Sequence, residues 1–176
     1  MGELKRFVRG GSQKKEPVDV NSVVRAVLDL SRHLIQSASA EVSLDLAESI
    51  PTVTADFVGL EQVVLNLVEN ACLALPGPGR RIVVTTRCDP AHGDIVLQVV
   101  DEGTGIPSDD LARITQPFFT TRSERGGTGL GLSVASRIIQ GHGGTLSFES
   151  AVGVGTTATV RLPSRVGLAR SDFSSP

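Results

Sequence analysis

The sequence predicts an α+β fold, a two-layer α/β sandwich in which a mixed, mostly antiparallel sheet is covered on one face by three main helices. Three observations carry this. Short stretches that alternate apolar and polar residues interleave with three longer segments of helical periodicity, so both element types share one core. The last strands come as hairpin-like neighbours, which a purely parallel sheet would not contain. The chain has 176 residues, 40% apolar and 20% charged, enough for one hydrophobic core with short flanks. No repeat at a solenoid or propeller period is visible.

Residues 1–15 mix Lys, Arg, Gly and Ser, yet Leu4, Phe7 and Val8 are spaced like the last turns of an amphipathic helix; they read as a helix end and linker. The folded domain is expected over 16–163, with a frayed tail over 164–176. Pro17 to Val20 reads as extended. Asn21 is expected to cap a helix running to about Ser37, with Val24, Val27, Leu28, Leu30 and Leu34 facing the core. Glu41 to Leu46 alternates as a half-buried strand. Val53 to Ala55 is a second, short one, before Asp56 caps a helix from Phe57 to Leu75. The run PGPGR at 76–80 ends that helix. IVVTTRC (82–88) and DIVLQVVD (94–101) form a hairpin about the turn-rich DPAHG. Ser108, Asp109 and Asp110 open a short helix to about Ile114, acidic residues suiting its positive end. A loop from Thr115 to Thr128 leads to a helix from Gly129 to Gln140 closed by Gly141, and strands follow near Thr145–Glu149 and Thr157–Leu162.

Composition narrows the function classes. The formal net charge of -2, with scattered Lys and Arg, gives no basic stripe, so nucleic acid and membrane surfaces are not expected partners. No apolar run approaches the roughly 20 residues of a membrane span, and MGELKRFVRGGSQKKEP lacks the apolar core of a signal peptide. A cytoplasmic domain is expected. Cys72 and Cys88 lie outside any metal-binding spacing and read as free thiols in a reducing compartment.

Four constellations point to a nucleotide. In LEQVVLNLVENACLAL, Asn66 and Asn70 lie four apart, so both carboxamides share one helix face while Val63, Val64, Leu67 and Ala71 face the core. Neutral oxygens of this kind suit Mg²⁺, which keeps several waters and bridges to phosphates; two solvent-facing Asn residues would give the same pattern. Glu69 beside them is ambiguous. VVDEGTGIP ends a strand on Asp101, whose carboxylate can accept from an exocyclic amine, followed by Gly103 and Gly105, which allow close approach, and Ile106, which offers an apolar contact. An Asp/Gly turn without a ligand is the competing reading. RGGTGLGLSVASRIIQ places Gly126, Gly127, Gly129 and Gly131 at a helix N-terminus, where unpaired N–H groups and the helix dipole attract phosphate. PFFTTR before it supplies Phe118, Phe119, Arg122 and Arg125. GVGTTATV sets Gly153 and Gly155 in a turn before Thr156, which offers a hydroxyl.

In this order the four segments resemble the N box, the first glycine box, the F box with the second glycine box, and the third glycine box of the histidine kinase ATPase family. Gyrase, the large heat-shock chaperone and the mismatch-repair ATPases share that superfamily. PFFTTR followed by GTGLGLSVASRIIQGHGG resembles the nitrogen-regulation and dicarboxylate-sensor subgroup. The resemblance implies a Bergerat fold with a flexible ATP lid, and ATP and Mg²⁺ as cofactors. By matching position it implies Asn70 as the metal ligand, Asn66 as support for metal and phosphates, and Asp101 as the partner of the adenine amino group. Gly103, Gly105 and Ile106 would shape the base pocket and Thr156 would help fix the base through water. Phe119, Thr120, Thr121, Gly127, Thr128, Gly129, Leu130, Gly131 and Leu132 would form the lid and phosphate loop, and Arg122 or Arg125 a lid cation. Catalytic roles fall to Asn66, Asn70, Arg122 and Arg125.

Two departures matter. Many members carry a basic residue and then Tyr after the N box, where this chain has Leu73 and Ala74. A complete kinase also needs a phosphoacceptor histidine beside an acidic residue on a dimerisation helix, and His33, His92 and His142 lie in other contexts; His142, in HGG, reads as structural. LKRFVRG resembles the close of that helical domain. The implied function is therefore the ATP-binding catalytic domain of a two-component sensor histidine kinase. It would donate the γ-phosphoryl group to a histidine on a separate dimerisation domain and reach a response regulator indirectly. An isolated monomer with little autophosphorylation is expected. The rivals are an anti-sigma-type serine kinase, whose product would be acid-stable, and a non-catalytic ATP-sensing module.

Overall fold

The computed structural model describes residues 14–121 and 128–164. The elements in order are β1 (Glu16–Val18), α1 (Val20–Leu30), α2 (Arg32–Ser37), β2 (Glu41–Leu46), β3 (Val53–Ala55), α3 (Phe57–Ala74), β4 (Arg81–Cys88), β5 (Ile95–Asp101), α4 (Ser108–Leu111), α5 (Gly131–Gly141), β6 (Thr145–Ala151) and β7 (Gly155–Leu162). Five strands form one sheet in the order β2-β4-β5-β7-β6, and β1 pairs with β3 in a separate two-stranded ribbon. Only β2 and β4 run parallel; β4–β5, β5–β7 and β7–β6 are antiparallel. The parallel pair is the one whose connection contains α3, as a crossover requires. The α+β sandwich expected from the sequence is the fold observed.

Register decides which residues meet the helices. In-register partners share a face and alternate residues switch faces. Ile82, Val84 and Thr86 of β4 therefore face the same way as Asp101, Val99 and Leu97 of β5 and Thr156, Ala158 and Val160 of β7. That face is buried beneath α1, α3 and α5, whose Val23, Val24, Val27, Val63, Val64, Val68, Ala135 and Ile139 complete the core. The opposite face is polar enough to stand in water, with Gln98 donating to Thr159 at 3.1 Å.

Local chemistry moved several boundaries. The cap of α1 is Asp19, not Asn21: the Asp19 carboxylate accepts the Asn21 N–H at 3.0 Å. Asn21 instead reaches into the sheet, donating to Ala47 O at 2.9 Å and accepting from the Thr86 hydroxyl at 2.6 Å. The helix also does not run unbroken to Ser37. It ends at Leu30 and restarts at Arg32, which turns Leu30 outward, 73% exposed, while Leu28 and Leu34 still pack on the core. Asp56 caps α3 as expected, accepting from Val58 N at 3.2 Å. By length and composition α3 is apolar enough to cross a membrane, contrary to the reading that no run approaches a span; its Leu60, Val63, Leu67 and Val68 form the centre of the domain core instead. The last helix begins at Gly131 and includes Gly141. β6 and β7 extend to Ala151 and from Gly155, so the final hairpin is longer than expected.

Candidate nucleotide site

At one end of the sheet, Asp101, Thr156 and Ser150 are consecutive in-register partners across β5, β7 and β6. Asp101 is 8% exposed and accepts the Gly103 N–H at 2.8 Å, bending the chain off the strand. The turn that follows is tied down on two sides: Thr104 N donates to Ala74 O at 2.9 Å and Gly153 N donates to Thr104 O at 2.8 Å. Gly105 sits at φ 71°, and a Cβ there would overlap the Ala151 carbonyl. Both the backbone angle and the close approach demand glycine. Gly103 lies behind this wall, between Asp101 and the Ala74 side chain.

The helical side is built from α3 and the start of α5. Asn66 is buried and engaged at both ends of its carboxamide: Nδ2 donates to Gly131 O at 2.8 Å and Oδ1 accepts from Gln62 at 3.0 Å. It therefore clamps α5 to α3. Asn70 Nδ2 donates to Asn66 O at 2.7 Å, which leaves Oδ1 as the acceptor turned to the cavity. Leu130, the N-cap of α5, offers no side-chain cap, so first-turn N–H groups stand without one. Gly129 precedes this helix, and its carbonyl accepts the Phe118 N–H at 2.9 Å, joining the two flanks of the intervening segment.

These two sides enclose a cavity of about 640 Å³. Of the residues singled out in the sequence, Asn66, Glu69, Asn70, Asp101, Gly105, Ile106, Phe119, Thr120, Thr121, Thr128, Gly129, Gly131, Leu132 and Thr156 line it. Gly103 and Leu130 do not; Gly103 stands behind Asp101 and Ala74, which do. Arg122, Arg125 and Gly127 lie outside the described residues. Sequence reasoning missed the apolar lining from Val99, Ile114, Phe148 and Ala158. Phe148 faces Ala158 in register, so the alternation of TLSFES carried the signal. It brings an aromatic ring from the sheet, whereas α3 offers Leu73 and Ala74. Arg113 stacks over Phe119, 4.4 Å from the ring centre.

A single-ligand Mg²⁺ site fits this donor set. Asn70 Oδ1 is a hard neutral oxygen, and among the described residues no group of three or more His, Cys, Asp or Glu could cage a metal; magnesium shared with substrate phosphates needs no such cage. The histidines serve the fold or the surface. His142 Nε2 accepts the Asp56 N–H at 3.0 Å and Nδ1 lies 2.7 Å from Ile138 O, so Nδ1 carries the proton and the ring joins the end of α5 to the start of α3. His92 lies at the far end of the sheet beside Asp89, at 3.2 Å, and His33 contacts Ser37 on α2. Burial pushes the Cys72 thiol up to about 11, which leaves it unreactive.

Residues 55–166 match the family of histidine kinase-, DNA gyrase B- and HSP90-like ATPases. The chain belongs to this ATPase family. Its relatives are sensor histidine kinases. The ATPase domain is 34% identical over 172 residues to the sensor histidine kinase ZraS of Escherichia coli strain K12, covering 98% of this chain and 36% of that protein. It is 31% identical to the solved mycobacterial sensor histidine kinase MprB, with a TM-score of 0.74 over 86% of this chain and 98% of that one. A full-length ShkA structure in complex with AMPPNP superposes with a TM-score of 0.76 at 26% identity, covering 88% of this chain and 32% of that one. The ATPase domain thus spans about a third of the length of ZraS, and 21% of a sensor protein of Shewanella frigidimarina. The match falls on the ATPase part of these proteins.

Proposed function

We propose that this domain binds Mg²⁺-ATP in the cavity between α3, α5 and the end of the sheet, and presents the γ-phosphoryl group to a histidine on a separate helical domain. The observation that carries this is the meeting of Asp101, Thr156, Asn70 and the uncapped start of α5 around one cavity. Asp101 accepts from the adenine amine, and Val99, Ile106, Phe148 and Ala158 cover the flat ring. The α5 amides and the dipole of an 11-residue helix hold phosphate oxygens. Asn70 Oδ1 ligates Mg²⁺, which neutralises charge on the phosphates when bound. Asn66 keeps α5 and α3 at the separation this needs. On sequence grounds Arg122 or Arg125 adds a cation at the phosphates.

The domain acts by orientation and charge neutralisation. That suffices for transfer to a neutral imidazole, which attacks without losing a proton first. The response regulator is reached only through the phosphorylated histidine, and the domain works on the cytoplasmic side without touching membrane or nucleic acid. The test is twofold. Calorimetric titration should give ATP binding strengthened by Mg²⁺, and labelled ATP with a matching helical domain should give an acid-labile label on that domain. Binding indifferent to Mg²⁺, strong labelling of the chain alone, or an acid-stable label would overturn the proposal.

A further inference from the structure

The hydroxyl of Ser150 does not line the cavity but organises the residue that does. It accepts the Ile106 N–H at 2.8 Å, lies 2.8 Å from Gly155 O, and lies 2.9 Å from Thr156 Oγ1. A hydroxyl has one proton and two lone pairs. The Gly155 carbonyl can only accept, so the Ser150 proton lies on that contact. Its two lone pairs then take the Ile106 N–H and the Thr156 O–H. Thr156 therefore donates away from the cavity, and any group meeting it from the cavity meets an acceptor. Because Thr156 pairs in register with Asp101 on its other side, the row presents a hydroxyl acceptor beside a carboxylate.

We propose that Ser150 is a positioning residue for base selection: by fixing the direction of the Thr156 hydroxyl it makes the pocket prefer a 6-aminopurine to a 6-oxopurine. This rests on the reading that the Asp101 end of the cavity receives the base. A 6-amino group carries two N–H donors, one for Asp101 and one for Thr156. A 6-oxopurine can offer its N1–H to one of these acceptors, but its O6 then meets the other with no proton between the two oxygens. Without the Ser150 hydroxyl, Thr156 is free to rotate and donate to the oxo group. The same hydroxyl anchors Ile106, so a purely structural role would weaken both bases alike.

The 176-residue chain is titrated calorimetrically with ATP and with inosine triphosphate in Mg²⁺. Wild type should prefer ATP, and Ser150→Ala should cut the ATP-over-inosine preference about fivefold, the worth of one redirected hydrogen bond. Ser150→Thr, which keeps the hydroxyl, should retain most of the preference. Thr156→Val alone should lower it by a comparable factor, and in that background Ser150→Ala should leave the ratio unchanged. Equal weakening of both nucleotides by Ser150→Ala, an unchanged preference in Thr156→Val, or a further ratio change in the double variant would overturn the proposal. Failure of wild type to bind either nucleotide would instead overturn the assignment of the cavity to ATP.

Discussion

Two aspartates stand at opposite ends of the β4–β5 hairpin, about 20 Å apart along β5, and are used differently. Asp89, in the turn, accepts from Ala91 N at 2.9 Å and from Arg161 at 2.9 Å, with His92 at 3.2 Å. These donors, the Ala91 amide first, draw its carboxyl down to about 2. Asp101, at the other end, accepts the Gly103 amide and borders the cavity, with the hydroxyls of Thr156 and Ser150 as its neighbours in register. A carboxylate ringed by the protein's own donors fixes a turn. One placed at a cavity wall in a row of oxygens is suited to a donor that comes from outside.

The strongest way to break this contrast is at Gly155, where φ is 140° and a Cβ would overlap the Asp101 carbonyl. Gly155→Ala should cost about 3 kcal/mol or more and remove ATP binding with it. Gly153→Ala in the same turn, with φ 77° and open space around it, should cost about 1 kcal/mol. Denaturant unfolding compares the two, and equal costs would refute the close approach. Next is Asp101→Asn, expected to weaken ATP binding about 30- to 100-fold, as loss of a charge-assisted hydrogen bond implies, with the unfolding midpoint nearly unchanged. Asn70→Ala should weaken binding about tenfold in Mg²⁺ and much less in chelator; the same loss in both would remove Asn70 from the metal.

The smallest effect belongs to Asp89→Asn, which should leave ATP affinity intact. Because the folded value lies below the ordinary 3.8, the wild-type carboxylate adds stability that is complete above pH 3.8 and is lost as pH falls towards about 2. Unfolding measured across that window should show a steeper slope in wild type than in the variant, which keeps the contribution of Glu102. A variant curve parallel to wild type would show that Arg161 and Ala91 do not hold the charge.

Legibility tracked how local the cause was. Asp56 was readable as a cap because strand, carboxylate and apolar helix follow one another within a few residues. Asn21 was misread because Asp19, two positions earlier, starts the helix and accepts the Asn21 amide, while the Asn21 side chain is engaged by Thr86 of a strand distant in sequence. The break at Ser31 has no Gly or Pro to announce it. Asp101, Gly105 and Thr156 stood out through turn chemistry and their order along the chain. Ser150 and Phe148 did not: the alternation of TLSFES puts both on one face of β6, but the partners they meet are set only when β6 pairs in register with β7, a tertiary fact.

The helix α5 is held at both ends. Asn66 grips the carbonyl of Gly131 at its start, and at its finish Lys15 donates to the carbonyl of Gly141 at 2.6 Å, one residue before β1. Eleven residues of helix make a strut about 16 Å long. Lys15 and Asn66 thus fasten opposite ends of one stiff member, and its Gly131 end forms part of the cavity wall.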